Sequence, residues 1–304
     1  MKKIIVVAGA TGNLGRNIVK ELLSHGAVVR ALVRPESNAA TVQELVAAGA
    51  EIILIDSWDV ATISQACKDA GCVVSALSGL RGVIIDAQSI LLDAAVAAGV
   101  PRFIPSDFSI DFTALPAGSN RNLDLRREFH LNLEKANIKP TTVFNGAFAD
   151  MLTGQMPLIL FKYKRVLYWG DAGQLMDFTS IASTAAFTAN AALDTGTPRY
   201  LRIAGDQLSP RLIATLAEKV TGDKYRLTRA GSSGLLSILI KIAKKVAPGK
   251  EELYPAWQGM QYMHNMVGGK AKMRSLDNDR YPDMNWIRAR DILTAHVNNN
   301  NIGG

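Results

Sequence analysis

An apolar run, Ile4–Ala8, passes directly into Gly9-Ala-Thr-Gly12-Asn-Leu-Gly15, and an amphipathic stretch, Asn13–Ser24, begins inside that loop. No other feature of the chain restricts its fold so narrowly. A strand that turns at once into a helix needs glycine for the tight turn, for close backbone approach to a ligand, and for close helix–strand packing. The helix also presents unsatisfied N–H groups and a partial positive charge at its N-terminus, which favour phosphate. With a strand before the loop, a helix after it and a further strand beyond, the pattern predicts a dinucleotide site on Gly9, Thr11, Gly12, Asn13, Leu14 and Gly15. An ordinary strand-to-helix turn is the plainer alternative. The spacing is GxxGxxG, wider than the commoner GxGxxG.

Apolar runs recur at Val28–Val33, Glu51–Ile55, Cys72–Leu77, Arg102–Pro105 and Thr141–Phe144, with helical patterns such as Val83–Ala98 between them. This alternation predicts an α/β fold of Rossmann type: a doubly wound parallel sheet, helices on both faces, with right-handed crossovers. A dinucleotide-binding domain over residues 1–150 follows. The pattern then loosens. Ser180–Leu193 reads as a helix and Tyr200–Ala204 as a strand, so about 176–205 is expected to return to the main sheet. Leu208–Val220, Leu235–Val246, Trp257–Met266 and Ile287–His296 read as helices and Tyr225–Thr228 as a strand. The region 151–304 is therefore expected to hold a smaller, mostly helical cap over a substrate cleft.

The carboxyl ends of the strands supply the remaining cofactor candidates, because open α/β sheets bind ligands there. The second strand ends at Arg34, where sites for NAD usually place an acid. An arginine there suits a 2′-phosphate and favours NADP(H), with NAD(H) still open, since Glu36 is close enough to alter the balance. An exposed arginine ending a strand is the alternative. Asp56 and Ser57 end the third strand and border an adenine, unless Asp56 caps the next helix. Ala76, Leu77 and Ser78 lie after the fourth strand, Ser106 after the fifth and Asn145 after the sixth. Small residues there let a dinucleotide lie along the backbone.

Other classes fall away. The 304 residues, 48% of them hydrophobic, can fill a large core, and no apolar run reaches the roughly 20 residues of a membrane span. The N-terminal run is too short for a signal peptide, so a cytoplasmic protein is expected. Cys67 and Cys72 fit neither a disulfide framework nor a redox pair, and the four histidines share no ligand spacing, so no metal is expected. The net charge of +7 alone argues for nucleic acid, without a recognisable helix-turn-helix to support it.

The segments GATGNLG (9–15), LVRPES (32–37), VPRFIPSDFS (100–109) and FNGAFADML (144–152) resemble the NmrA-like and isoflavone-reductase-like family of atypical short-chain dehydrogenases. The resemblance implies an NADPH-binding Rossmann domain. In the enzyme branch it implies reduction of a small aromatic, quinone or conjugated carbonyl substrate. In the NmrA branch it implies a redox sensor that binds a protein partner without catalysis. Two departures stand out. No tyrosine is followed four residues later by lysine, and the family's lysine on the helix Leu123–Lys135 is replaced by Arg126. Arginine keeps the charge but is a poor proton donor. His130, one turn further on, is a proton-donor candidate or a partly buried helix histidine. Asp107 reads as a helix cap, or as a hydrogen-bond partner for that helix. Phe108, Phe148, Met151 and Trp169 are candidates for an apolar substrate cleft or for the core.

Overall fold

Along β1 (Ile4–Ala8), successive side chains enter different cores. Ile5 and Val7 join one cluster, Val6 and Ala8 another. A strand that alternates between two dry faces lies in the middle of a sheet covered on both sides. The computed structural model describes residues 2–301 and shows that sheet. Its strands β1, β2 (Val28–Val33), β3 (Glu51–Leu54), β4 (Cys72–Ser75), β5 (Arg102–Ile104) and β6 (Lys139–Pro140) are parallel, in the order β3-β2-β1-β4-β5-β6. Helices α1 (Asn13–Ser24) and α2 (Ala39–Ala47) bury Ile18, Val19, Leu22 and Leu45 on one face. On the other, α3 (Val60–Ala66), α4 (Gln88–Ala97) and α5 (Arg121–Leu133) bury Ile63, Leu91, Leu92, Phe129 and Leu133. The chain is thus an α/β protein with a Rossmann-type doubly wound sheet.

The expected sixth strand is split. Lys139 and Pro140 pair with β5, while β7 (Thr142–Phe144) pairs in parallel with β12 (Tyr200–Arg202). Pro140 has no N–H to give, and the chain changes partner just beyond it. Between them, the Thr141 N–H still donates to Phe103 O at 2.9 Å. Helix α6 (Ile181–Leu193) precedes β12 and packs on α1, closing the first face with Ala185, Phe187, Ala189 and Ala191. The stretch read as one helix at Val83–Ala98 begins as a wider π-helical turn, Gly82–Ala87, before α4.

The cap holds more strand than its sequence pattern suggests. Strand β10 (Arg165–Trp169) pairs antiparallel with β9 (Ile159–Leu160) and parallel with β14 (Arg226–Gly231). A second small sheet joins β11 (Met176–Thr179) to β8 (Ala147–Phe148) and β13 (Asp206–Leu208). Helices α7 (Pro210–Thr221), α8 (Ser233–Val246), α9 (Ala256–Val267) and α10 (Ala289–Asn301) complete it. Residues 302–304 of the expected cap lie outside the described residues. Its core gathers Phe144, Leu152, Val166, Phe178, Ile213, Met266 and Leu293.

Asp177 on β11 fastens the end of the cap to this sheet. Its Oδ2 accepts the Met273 N–H at 2.7 Å, and its Oδ1 accepts the Gln207 amide at 2.7 Å and lies 3.0 Å from Lys272 Nζ. The carboxylate and the Met273 N–H are buried and Gln207 and Lys272 half-buried, so losing the carboxylate leaves the Met273 N–H without an acceptor and removes a partner from the other two. Asp177→Ala should cost about 3 kcal/mol in urea unfolding and expose the segment around Met273 to limited proteolysis. A stability change within experimental error would contradict this role.

Candidate functional site

The three loop glycines meet three different demands. Gly9 has φ +77°, and a Cβ there would lie 2.5 Å from Ala76 O at the end of β4. A Cβ on Gly15 would lie 2.1 Å from Gly9 O, so only glycine lets α1 sit this close to β1. Gly12 caps α1 with extended backbone and no side-chain hydrogen bond. The first N–H groups of α1 are therefore left for a ligand. Because β1 and β4 carry the switch in strand order, this loop stands at the crevice where doubly wound sheets bind ligands.

A groove of about 540 Å³ opens there. Its walls are Gly9, Thr11, Gly12, Arg34, Asp56, Ala76, Leu77 and Ser78, together with Leu32, Pro35, Glu36, Ser37, Ile55, Trp58, Val83 and Ala87. Three of the residues anticipated from the glycine loop and five anticipated from the strand ends thus share one cavity. Asn13, Leu14 and Gly15 stand on the first turn of α1 behind it. The uncapped helix end, and a cradle that any Cβ would fill, fit a dinucleotide pyrophosphate. Arg34 Nη1 lies 3.3 Å from Glu36 Oε1, and both side chains are exposed. An exposed pair of this kind is weak, so Glu36 leaves the guanidinium available to another anion. The helix after β3 is capped by Asp59, whose Oδ1 accepts the Thr62 N–H at 2.8 Å. Asp56 is therefore not the cap and faces the groove instead. Ser57 sits beside Asp59, which its hydroxyl helps hold below the ordinary carboxylate range. Trp58, at the same strand end as Asp56 and Ser57, also lines the groove. Its indole N–H donates to Ala87 O at 2.9 Å, at the end of the π-helical turn.

Beyond the groove, Ser106 links three elements. Its hydroxyl donates to Leu77 O at 2.5 Å, its N–H donates to Gln88 Oε1 at 2.9 Å, and its carbonyl accepts Arg126 Nε at 3.0 Å. Arg126 Nη1 also donates to Asn122 O at 3.0 Å. Both residues are buried. Arg126 thus carries a fixed positive charge to the carboxyl end of β5. Gln88 was missed because a lone glutamine inside a helical pattern gives no sign of a partner 18 residues away.

His130 faces a different partner. Its Nε2 lies 2.6 Å from Asp107 Oδ2, and its Nδ1 is 3.3 Å from Arg199 Nη2. Thr142 Oγ1 donates to the same Asp107 oxygen at 2.7 Å, and Arg199 in turn binds Thr142 Oγ1 and Glu134. Asp107 is not a helix cap, since α5 is capped by Asn120, whose Oδ1 accepts the Asn122 and Leu123 N–H groups. Burial alone would push the Asp107 carboxyl up. The charge and hydrogen bond of His130, the Thr142 hydroxyl and the Arg126 charge outweigh it and hold the carboxyl below its ordinary value.

The apolar candidates divide. Phe108 and Phe148 pack in the core beneath α1 and α6, and Met151 packs in the cap core. Trp169 lies over Gly231 beside Leu235. Asn145, fully buried after β7, has both Nδ2 and Oδ1 without a partner among the described residues, an expensive state for a buried amide. Tyr262 on α9 was not anticipated. Gln258, Gln261 and Asn265 of α9 bind Asn120, the Arg121 N–H and Ser119, bringing this helix against the start of α5. Burial pushes the Tyr262 phenol up to about 12, against the charges of Arg126 and Arg121 and a hydrogen bond with Asn122. Burial likewise pushes Cys67 to about 11 and Cys72 to about 12, so neither is a thiolate at neutral pH. Among the described residues no cluster of His, Cys, Asp or Glu is suited to a metal.

Because Asp107 is held below its ordinary value, its stabilisation is complete at neutral pH and fades as pH falls below about 4. Asp107→Asn should lower stability by about 2 kcal/mol at pH 7, with the gap to the parent closing toward pH 3. Urea melts across this range test it, and a gap independent of pH would refute the assignment.

The NmrA-like family model matches residues 1–248. Pinoresinol reductase 1 of Arabidopsis thaliana is 29% identical over 313 residues, covering 96% of each chain. The isoflavone reductase homolog IRL of Zea mays is 30% identical over 242 residues, covering 74% of this chain and 76% of its own. The binary complex of leucoanthocyanidin reductase and NADPH from Vitis vinifera superposes with a TM-score of 0.80, at 20% identity, over 97% of this chain and 99% of that one. The last likeness speaks for the fold. The glycine loop, the strand-end residues and a family match over more than three quarters of the sequence agree, and the chain belongs to the NmrA-like family.

Proposed function

We propose that this protein is an NADPH-dependent reductase of a small aromatic, quinone or conjugated carbonyl compound. The observation that carries the reading is the groove at the ends of β1 and β4, where an uncapped helix N-terminus, Gly9 and Gly12 meet Arg34. The reductase names of the relatives support it. Thr11 and the α1 N–H groups take the pyrophosphate. Arg34 takes the 2′-phosphate, Asp56 and Trp58 border the adenine, and Ala76 to Ser78 follow the chain of the dinucleotide. The orphaned Asn145 amide is offered to the nicotinamide end. The cytoplasm is the compartment that fits this reading.

Bound NADPH supplies the hydride. The protein supplies position, charge and a proton. Arg126, locked by Ser106 O and Asn122 O, places a fixed charge where an oxyanion develops, and such preorganised charge is an effective catalyst. His130 has both ring nitrogens engaged with Asp107 and Arg199 and serves as a positioning residue for α5. On α9, which is hydrogen-bonded to the start of α5, Tyr262 is the proton-donor candidate: burial keeps its phenol protonated at neutral pH, and the charges of Arg126 and Arg121 favour its phenolate.

Loss of NADPH absorbance across a panel of aromatic ketones, quinones and enones tests the reading. Tight NADPH binding without turnover on any of them would return the chain to the cofactor-sensing alternative. Arg34→Ala should raise the KM for NADPH about 10-fold and leave that for NADH nearly unchanged. Tyr262→Phe should lower kcat about 100-fold with NADPH binding intact. An equal loss of both parameters would argue against a proton-donor role.

A further inference from the structure

Helix α8 is apolar on two faces. Leu236 and Ile240 are buried against the cap. Leu235, Ile238, Ile242 and Val246 are 43%, 55%, 53% and 78% exposed. Their spacing sets them along one stripe, about 16 Å long at 1.5 Å per residue. Trp169 extends the near end, since its ring and the Leu235 side chain lie together over Gly231. None of these residues lines the dinucleotide groove.

The charges beside the stripe have one sign. Lys241, Lys244, Lys245 and Lys250 fall within a stretch, 232–250, that contains no acid. At 100° per residue, Lys241 and Lys245 border the stripe on one flank. Lys244 reaches toward α9, with Nζ 4.8 Å from the Trp257 ring centre. Bare Leu, Ile and Val beside lysine, with tryptophan at one end, is the pattern of a helix that lies in a lipid interface. An antiparallel second copy would set lysine row against lysine row, whereas anionic headgroups complement the lysines. No helix among the described residues is long and apolar enough to cross a membrane.

We propose that α8 docks the protein on anionic lipid bilayers, with Leu235, Ile238, Ile242 and Val246 set among the acyl chains and Lys241 and Lys245 at headgroup level. The full chain should float with vesicles of equal parts phosphatidylcholine and phosphatidylglycerol and remain free with phosphatidylcholine alone. Ile238→Asn with Ile242→Asn should abolish flotation while NADPH binding and thermal midpoint stay at parental values. Lys241→Gln and Lys245→Gln should each weaken it about 5-fold, and added salt should weaken the parent. Absence of flotation on anionic vesicles would overturn the proposal. So would equal flotation on both vesicle types, or a dimer in sedimentation that Ile238→Asn dissociates.

Discussion

Two backbone contacts govern the arrangement of the Rossmann half. Gly15 lets α1 rest against the Gly9 carbonyl, and Gly9 lets the end of β1 rest against the end of β4. Nothing larger than hydrogen fits at either point. The pair sets how far the first helix N-terminus projects and how closely the two strands at the order switch approach each other. The groove, its phosphate end and the position of Ala76 to Ser78 all follow from that spacing.

Helix α5 carries the next level of organisation. Asn122, Arg126 and His130 recur one turn apart, so they share a face. Each engages a different part of the molecule. Asn122 donates to Leu253 O in the cap, Arg126 to Ser106 O after β5, and His130 meets Asp107 and, through it, Thr142 of β7. One helix face therefore registers the cap, the cofactor end of the sheet and its far edge against one another. Charge serves position here as much as chemistry.

Strands β1, β4 and β5 were legible because nearly every residue in them is buried, and β2 and β3 because their apolar residues recur between turn signals although β3 is partly exposed. The groove was legible because the ends of those strands are its walls. What escaped was chiefly long-range. Strand β14 pairs with β10 across some sixty residues, and neither segment advertises its mate. Gln88, Tyr262 and Arg199 carry no local signature, since what distinguishes them is a partner on another element. Asp107 read as a cap or as a hydrogen-bond partner for α5, and its contact with His130 on that helix supports the second reading. The cap of α5 is Asn120, just ahead of an Arg-Asn pair that breaks the amphipathic pattern and hides the true start of the helix.

The π-helical turn before α4 has a mechanical consequence. Trp58, in the wall of the groove, is fastened to Ala87 O, and the next residue, Gln88, holds the Ser106 N–H. Ser106 O in turn holds Arg126. Five hydrogen-bonded or adjacent residues thus form a strut from the groove wall to the charge beyond it. The two ends cannot be reshaped independently: a chain that accommodates a different adenosine half must carry the change along this strut to the charge at its far end.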